Sequence, residues 1–146
     1  PGLSNVLVGD VKVKAAVRQT GVPGLWMLAA GRIPPNPAEL LASRRFTEFL
    51  ASLREHFDAI VLDSPPVMAV TDAAVIAPAT TGVVFVIGAD MTSRHAAREA
   101  VEQLAGGRAR FLGAVLNRVD LESNRYYYSR YYRREYAAYY QAATGA

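Results

Sequence analysis

Four short runs of apolar residues along the chain have the length of β-strands. They occupy residues 25–29, 59–62, 83–87 and 111–116. The last three contain no polar residue, and this lack of alternation is typical of strands buried on both faces of a parallel sheet. The runs therefore predict a mostly parallel sheet that is covered by other elements.

Helical patterns separate these runs. Asn36 is placed to cap a helix that opens at Pro37, and Ser43 is placed to cap the next one. The helix after Ser43 carries apolar residues at the i, i+3, i+4, i+7 spacing of one helical face, namely Phe46, Phe49, Leu50 and Leu53. Thr92 is placed to cap a third helix, which the glycines at 106–107 would end. Strands alternating with helices predict an α/β fold, with a layered sheet and helices on both faces.

Length and composition narrow the class of protein. The chain has 146 residues, about one domain, and 51% of them are hydrophobic, as in a globular body. It has no cysteine, which excludes disulfides and cysteine-based metal or redox sites. The net charge of +3 does not mark the body as a nucleic-acid binder. The longest uncharged run, 73–89, is shorter than the roughly 20 residues of a membrane span, so we expect no transmembrane segment.

The apolar run 59–62 ends on Asp63, and the chain then turns through Ser64, Pro65 and Pro66. In open α/β sheets, ligands bind outside the carboxyl ends of the strands. A carboxylate there can hold the water shell of a nucleotide-bound magnesium ion. An aspartate that ends a strand and turns before proline is also a common structural feature. The residues alone leave both interpretations of Asp63 open.

Asn117 closes the run 111–116 and is the second candidate at this edge of the predicted sheet. Its amide can pair with the donor and acceptor edge of adenine, and a loop asparagine without a ligand is the alternative. We interpret Asp72 as the cap of the helix that follows it, with a catalytic role as the alternative. His56 and His95 are far apart in the sequence and are expected on the surface. Trp26 is expected in the core or in strand packing.

The end of the chain has a composition of its own. All eight tyrosines follow Arg125 and are interleaved with Arg130, Arg133 and Arg134; they are Tyr126, Tyr127, Tyr128, Tyr131, Tyr132, Tyr136, Tyr139 and Tyr140. Rings confined to a polar terminal segment indicate either a binding surface or a set of phosphate acceptors. Because the apolar periodicity fades near Leu121, we expect a folded domain over 1–120 and a flexible tyrosine-rich tail over 121–146.

Taken together, several motifs resemble those of the bacterial tyrosine kinases, the cytoplasmic kinase domains of polysaccharide co-polymerases, which are related to the ParA and MinD ATPases. They are the segments GRIPPNPAELLAS at 31–43, FD at 57–58, IVLDSPP at 60–66, VTDA at 70–73 and LNR at 116–118, followed by the tyrosine-rich tail. The segment GLSNVL at 2–7 resembles the stretch that follows the second nucleotide motif of these kinases. The similarity covers essentially the whole chain.

The resemblance implies that residues 1–120 are a partial kinase or ATPase-like domain. Its fold would be P-loop NTPase-like without the N-terminal P-loop part, and the kinase would use ATP and Mg²⁺. The resemblance also implies that Asp63 is the Walker B aspartate, which holds magnesium through water and takes part in catalysis, and that Asn117 reads adenine. It implies that the tail tyrosines are phosphorylated when the tail of one subunit enters the active site of its neighbour in a ring. It further implies a cytoplasmic place at the inner face of the plasma membrane, next to a membrane co-polymerase segment or activator protein, in exopolysaccharide or capsule synthesis and export.

Three features of these kinases are missing, namely the P-loop, the aspartates of the second nucleotide motif and the oligomerising N-terminal helix. In particular, the chain contains no G-x-x-x-x-G-K-S/T loop to hold phosphates. We therefore expect the chain to be the C-terminal part of a kinase domain, with the P-loop upstream of Pro1, and to be inactive alone. Two other functions remain as alternatives at this point. One is a non-catalytic ParA/MinD-like partner domain, and the other is a nucleic-acid binder that uses the Arg/Tyr tail, where rings stack on bases. Since the body offers no basic stripe to extend such a surface, we expect no nucleic-acid partner.

Overall fold

Residues 1–120 are described by a computed structural model, which contains six α-helices, a short 3₁₀ helix and four strands. In chain order the elements are α1 Leu3–Val8, α2 Val13–Ala16, β1 Arg18–Gln19, β2 Trp26–Met27, α3 Pro37–Leu41, α4 Arg44–Arg54, α5 Asp72–Ile76, the 3₁₀ helix Ala77–Ala79, β3 Val83–Gly88, α6 Arg94–Gly106 and β4 Phe111–Asn117. The predicted flexible tail at 121–146, with all eight tyrosines, lies outside the described residues.

Helix α4 is the centre of the hydrophobic core, as its sequence predicts. Ser43 caps it, because its Oγ accepts a 3.3 Å hydrogen bond from the backbone N–H of Phe46. Phe46, Phe49 and Leu50 are buried and pack with Leu7 of α1. The spacing of these residues places them on one face of the helix, so the predicted stripe is confirmed.

At α3 and α6, the observed N-terminal capping differs from the capping predicted from the sequence. Asn36 is the N-cap residue of α3, but its side chain donates to the Glu39 carboxylate instead of accepting from the helix backbone. Ser93, not Thr92, caps α6 with a 3.1 Å bond from the Ala96 amide. Thr92 and Ser93 both carry a hydroxyl group that suits an N-cap position, and helix boundaries are commonly ambiguous by one residue.

The parallel sheet is confirmed for the last two strands. β3 and β4 pair in parallel from Val83↔Phe111 to Gly88↔Asn117, with an irregularity between Val83 and Val84. They are joined by the crossover that contains α6. Within residues 1–120 this sheet has two strands, and Val84, Val86 and Val115 on it are about half exposed. We therefore correct the expectation that helices cover both faces of this part of the sheet.

The run 25–29 forms strand β2 only at Trp26–Met27, and β2 pairs antiparallel with β1. The run 59–62 is not a strand, so that prediction is wrong. Ile60 and Leu62 pack against the core around α4, whereas Val61 between them is 91% exposed. This alternation has the period of two that an extended chain gives. A strand also needs a hydrogen-bonding neighbour, and 59–62 has none in the described part of the chain.

None of the helices within residues 1–120 combines the length and the apolar character that crossing a bilayer requires.

Candidate functional site

The carboxyl edge of the β3–β4 sheet is the best-defined candidate site. Gly88 and Asn117 are the last paired residues of the two strands, and the Ala89 amide donates a 2.8 Å hydrogen bond to the Asn117 carbonyl oxygen. The strands therefore end together, and the chain leaves both at the edge where open α/β sheets bind ligands.

The side chain of Asn117 is exposed at this edge and its amide is oriented. Its Oδ1 accepts a 2.9 Å hydrogen bond from the backbone N–H of Arg118. The Nδ2 group has no hydrogen-bond partner among residues 1–120. Since a carbonyl oxygen carries two lone pairs, Oδ1 can still accept a second bond while Nδ2 donates one. The amide thus presents a donor and an acceptor side by side, which is the pattern that the edge of adenine complements.

Two residues that the sequence did not single out lie at the same edge. Asp90 and Arg118, which follow β3 and β4, both adopt the left-handed conformation, with φ of 58° and 59°. The Arg118 guanidinium reaches back across the edge, and its Nη1 donates to the sulfur of Met91 at 3.0 Å. No carboxylate pairs with Arg118 within the described residues. The signals in the sequence were the position of Arg118 next to Asn117 and its place in the motif LNR at 116–118.

Asp63 is exposed and follows the segment that packs on α4. Within residues 1–120 its carboxylate makes no hydrogen bond or ion pair, and the neighbouring Ser64 hydroxyl donates to the Pro65 carbonyl at 3.4 Å. A carboxylate that is not engaged by the protein is suited to bind water around a metal ion. No group of three or more metal-ligating side chains occurs in the described part of the chain. A magnesium ion at Asp63 would thus depend on phosphate and water oxygens, which this ion favours.

Asp63 and Asn117 are not joined by any hydrogen bond, and they stand on different supports. The helical core around α4 holds the segment before Asp63, whereas the β3–β4 pair holds Asn117. The two candidate residues therefore do not form one hydrogen-bonded cluster in residues 1–120.

The remaining residues considered from the sequence are Asp72, His56, His95 and Trp26. Asp72 is the first residue of α5 and not its cap, because Thr71 takes that position and makes no side-chain bond, so the capping prediction is wrong. His56 and His95 are exposed as expected, and His95 faces Glu99 at 3.4 Å. Trp26 lies in β2 and contacts the Phe57 ring edge-on at 6.4 Å between centroids, but 46% of it is exposed, so it is not a core residue.

Two motif segments that are distant in sequence meet at the N-terminus of α1. The amides of Leu3 and Ser4 donate to the carbonyls of Ala29 and Ala30 at 2.8 and 3.0 Å. Gly31 has a φ of 85°, and a Cβ there would lie 2.5 Å from the Ser4 hydroxyl oxygen. The glycine is needed for both reasons, so the start of the proline-rich block at 31–43 is packed directly on the segment 2–7.

Two open cavities, of about 340 and 570 Å³, lie beside this contact and not at the sheet edge. The smaller lies between α1, α2 and α4 and is lined in part by Arg45, which donates to the carbonyls of Leu7 and Val8. The larger is lined in part by Asn5, Asp10 and Arg32. Neither is lined by Asp63 or Asn117, so neither cavity is the candidate adenine or magnesium site.

The sequence of the chain is similar to those of several known proteins. No family model matches it. It is 38% identical over 130 residues to CapB of Staphylococcus aureus, a match that covers 89% of this chain and 57% of CapB. It is 37% identical over 119 residues to the tyrosine-protein kinase CpsD of Streptococcus agalactiae, covering 82% of this chain and 52% of CpsD. The chain thus spans about half the length of these relatives.

The similarity to a solved structure points to the same family as the similarities in sequence. The structure of the chain superposes on the crystal structure of the VpsO kinase domain with a TM-score of 0.76 and 38% identity, covering 82% of this chain and 59% of that domain. The chain is homologous to the bacterial tyrosine-protein kinases over most of its own length, and the resemblance that its motifs indicate is confirmed.

Proposed function

We propose that this chain is the part of an ATP-dependent protein-tyrosine autokinase that carries the base-reading residue, the magnesium carboxylate and the phosphate-accepting tail. The proposed kinase acts in the synthesis and export of capsular polysaccharide or exopolysaccharide. The observation that carries the proposal is the exposed, oriented amide of Asn117 at the carboxyl edge of a parallel sheet, in a chain homologous to tyrosine kinases.

In the proposed site, Asn117 pairs with adenine and Asp63 holds Mg²⁺ through its water shell. The ion would neutralise charge on the β- and γ-phosphates of ATP. Residues 1–146 contain no Walker A loop, so the phosphate cradle has to come from other polypeptide. We infer that the chain has no kinase activity unless that cradle is supplied.

The proposed phosphate acceptors are the tyrosines between 126 and 140, which lie outside the described residues. We infer that phosphorylation occurs in trans, in a ring of subunits at the inner face of the plasma membrane, next to a membrane co-polymerase segment or activator protein. Each phosphate adds about −1.5 to −2 charges at neutral pH. The four arginines at 125–134 offset only the first two or so. Further phosphorylation would make the tail acidic and expel it from the neighbouring site, so the ring would loosen.

The test uses the complete gene product that contains residues 1–146, purified and incubated with Mg²⁺ and ATP labelled on the γ-phosphate. We expect incorporation of label, phosphate mapped by mass spectrometry within residues 126–140, and a fall in oligomer mass as labelling proceeds. A variant with phenylalanine at all eight tyrosine positions is the matched control and should incorporate almost none. Label found mainly outside 126–140, or no label with any activator or co-polymerase segment added, would overturn the proposal.

A further inference from the structure

The contact between Arg118 and Met91 is the feature of the β3–β4 edge that the proposed role of Asn117 does not explain. The two residues are 27 positions apart, yet the Arg118 Nη1 atom lies 3.0 Å from the Met91 sulfur. A thioether is a weak hydrogen-bond acceptor. A guanidinium usually finds a carboxylate or carbonyl oxygen, and within residues 1–120 this one has neither.

The backbone conformation of Arg118 contributes to the position of its side chain beside Met91. Its φ of 59° is a conformation that costs a non-glycine residue about 1–2 kcal/mol. It also allows the Arg118 amide to hold the Asn117 side chain at 2.9 Å. The same residue therefore orients the amide through its own N–H group and places a cation beside it.

We propose that Arg118, backed by Met91, is a further binding residue that contacts the face of the purine whose edge pairs with Asn117. The inference rests on the function proposed above. Asn117 and Arg118 are consecutive, so a base paired with the amide lies within reach of the guanidinium. A planar cation is attracted to the π face of a heteroaromatic ring, as in arginine stacking on nucleobases.

The alternative ligand for a guanidinium is a phosphate group, and the chemistry of the neighbours argues against it here. Met91 is apolar and 70% exposed, which provides a contact surface for a ring and not for an anion. The edge also carries Asp90, whose carboxylate disfavours a polyanion. Base-face and phosphate contacts make different predictions, because adenosine has the ring without the phosphates.

The experiment measures dissociation constants of adenosine, ADP and ATP for the complete gene product and its variants by calorimetry. Arg118→Ala should weaken all three ligands by a similar factor, about 3- to 30-fold for the loss of a cation–π contact. Arg118→Lys should recover only part of the loss, since lysine keeps the charge and loses the planar group. Met91→Leu should give a smaller loss than Met91→Ala, because leucine keeps the apolar surface behind the guanidinium.

Arg108 provides the matched control. It is also exposed and left-handed, with a φ of 62°, but it lies before β4, at the opposite end of that strand. Arg108→Ala imposes a similar backbone cost and should leave the three dissociation constants unchanged. Arg118→Gly removes the guanidinium without backbone strain and should match Arg118→Ala in affinity, which separates lost contacts from lost folding.

Equal affinities of the wild-type protein and Arg118→Ala for the three ligands would overturn the inference. A loss of affinity for ADP and ATP without a loss for adenosine would also overturn it, because that result would mark Arg118 as a phosphate ligand. Either result leaves the proposed kinase intact if Asn117→Ala still lowers adenine preference. Failure of the proposed function has a different signature, in which the wild-type protein shows neither nucleotide affinity nor tyrosine phosphorylation.

Discussion

The amide of Ala89, one residue beyond the end of β3, donates a 2.8 Å hydrogen bond to the carbonyl oxygen of Asn117, the last paired residue of β4. The position of the proposed adenine reader is therefore fixed by the neighbouring strand as well as by its own. A residue held in this way can lose its side chain with little effect on the backbone around it.

We expect Asn117→Ala to weaken ATP binding and to reduce the preference for ATP over GTP, with the fold retained. One charge-neutral base-edge contact is worth about 1 kcal/mol or somewhat more, or about a fivefold to tenfold loss. Competition binding with the two nucleotides measures it, and circular dichroism checks the fold. Unchanged affinity and unchanged preference would make Asn117 an ordinary loop residue.

We expect Asp63→Asn in the complete gene product to abolish tyrosine phosphorylation without unfolding the protein, because the carboxylate is exposed and makes no hydrogen bond or ion pair that could be lost within residues 1–120. Loss of a charge that stabilises phosphoryl transfer typically costs a factor of about 10² or more in rate. Glu102→Gln is the matched control, since it makes the same carboxylate-to-amide change at an exposed position on α6. A rate near wild type in the Asp63 variant would refute the magnesium role.

We expect Gly31→Ala to destabilise the chain by about 2–4 kcal/mol, from left-handed strain and from a Cβ forced against Ser4 and Asn5. Gly24→Ala shares the positive φ but meets no atom within 4 Å, so it should cost only about 1–2 kcal/mol. Urea unfolding of the two variants gives the difference. Equal midpoints would show that the packing of the segment 2–7 on Gly31 contributes nothing.

We expect Phe46→Ala to cost about 3–5 kcal/mol, because this side chain is 1% exposed at the centre of the core and its removal leaves a cavity. Ile33→Ala removes a large apolar side chain that is 92% exposed and should change the free energy of unfolding by less than about 0.5 kcal/mol. Thermal or urea unfolding measures both, and a small effect at Phe46 would contradict the core assignment.

We expect the 146-residue chain by itself to associate as its concentration rises. Val84, Val86 and Val115 form an exposed apolar patch on the sheet, which has two strands within residues 1–120, and such patches and open edges promote association. Val86→Lys should lower the mean mass seen by light scattering. Val22→Lys is the control, since Val22 is also 57% exposed but lies between β1 and β2. A concentration-independent monomer would contradict this prediction.

Capping residues and helical spacing were sufficient to predict a helix whose signals lie within a single stretch of sequence. The hydroxyl of Ser43 and the spacing of Phe46, Phe49 and Leu50 define α4 within one stretch of sequence, and the structure agrees. Local sequence patterns failed at 59–62, because an apolar run becomes a strand only when another strand offers it hydrogen bonds. They also could not find the Arg118–Met91 contact, which depends on a parallel register between segments that no sequence motif links.

The hydrogen bonds of α1 to later parts of the chain affect the order in which the elements pack together during synthesis. Its amides bond to carbonyls at 29 and 30, and its last carbonyls bond to Arg45, 38 residues after Leu7. A ribosome adds about 5–20 residues per second, so roughly 2–8 seconds separate the emergence of α1 from that of its last partner. A six-residue helix cannot persist alone for that time. Helix α1 therefore completes its docking only after α4 has emerged, and until then Leu7 lacks its packing partners Phe46, Phe49 and Leu50.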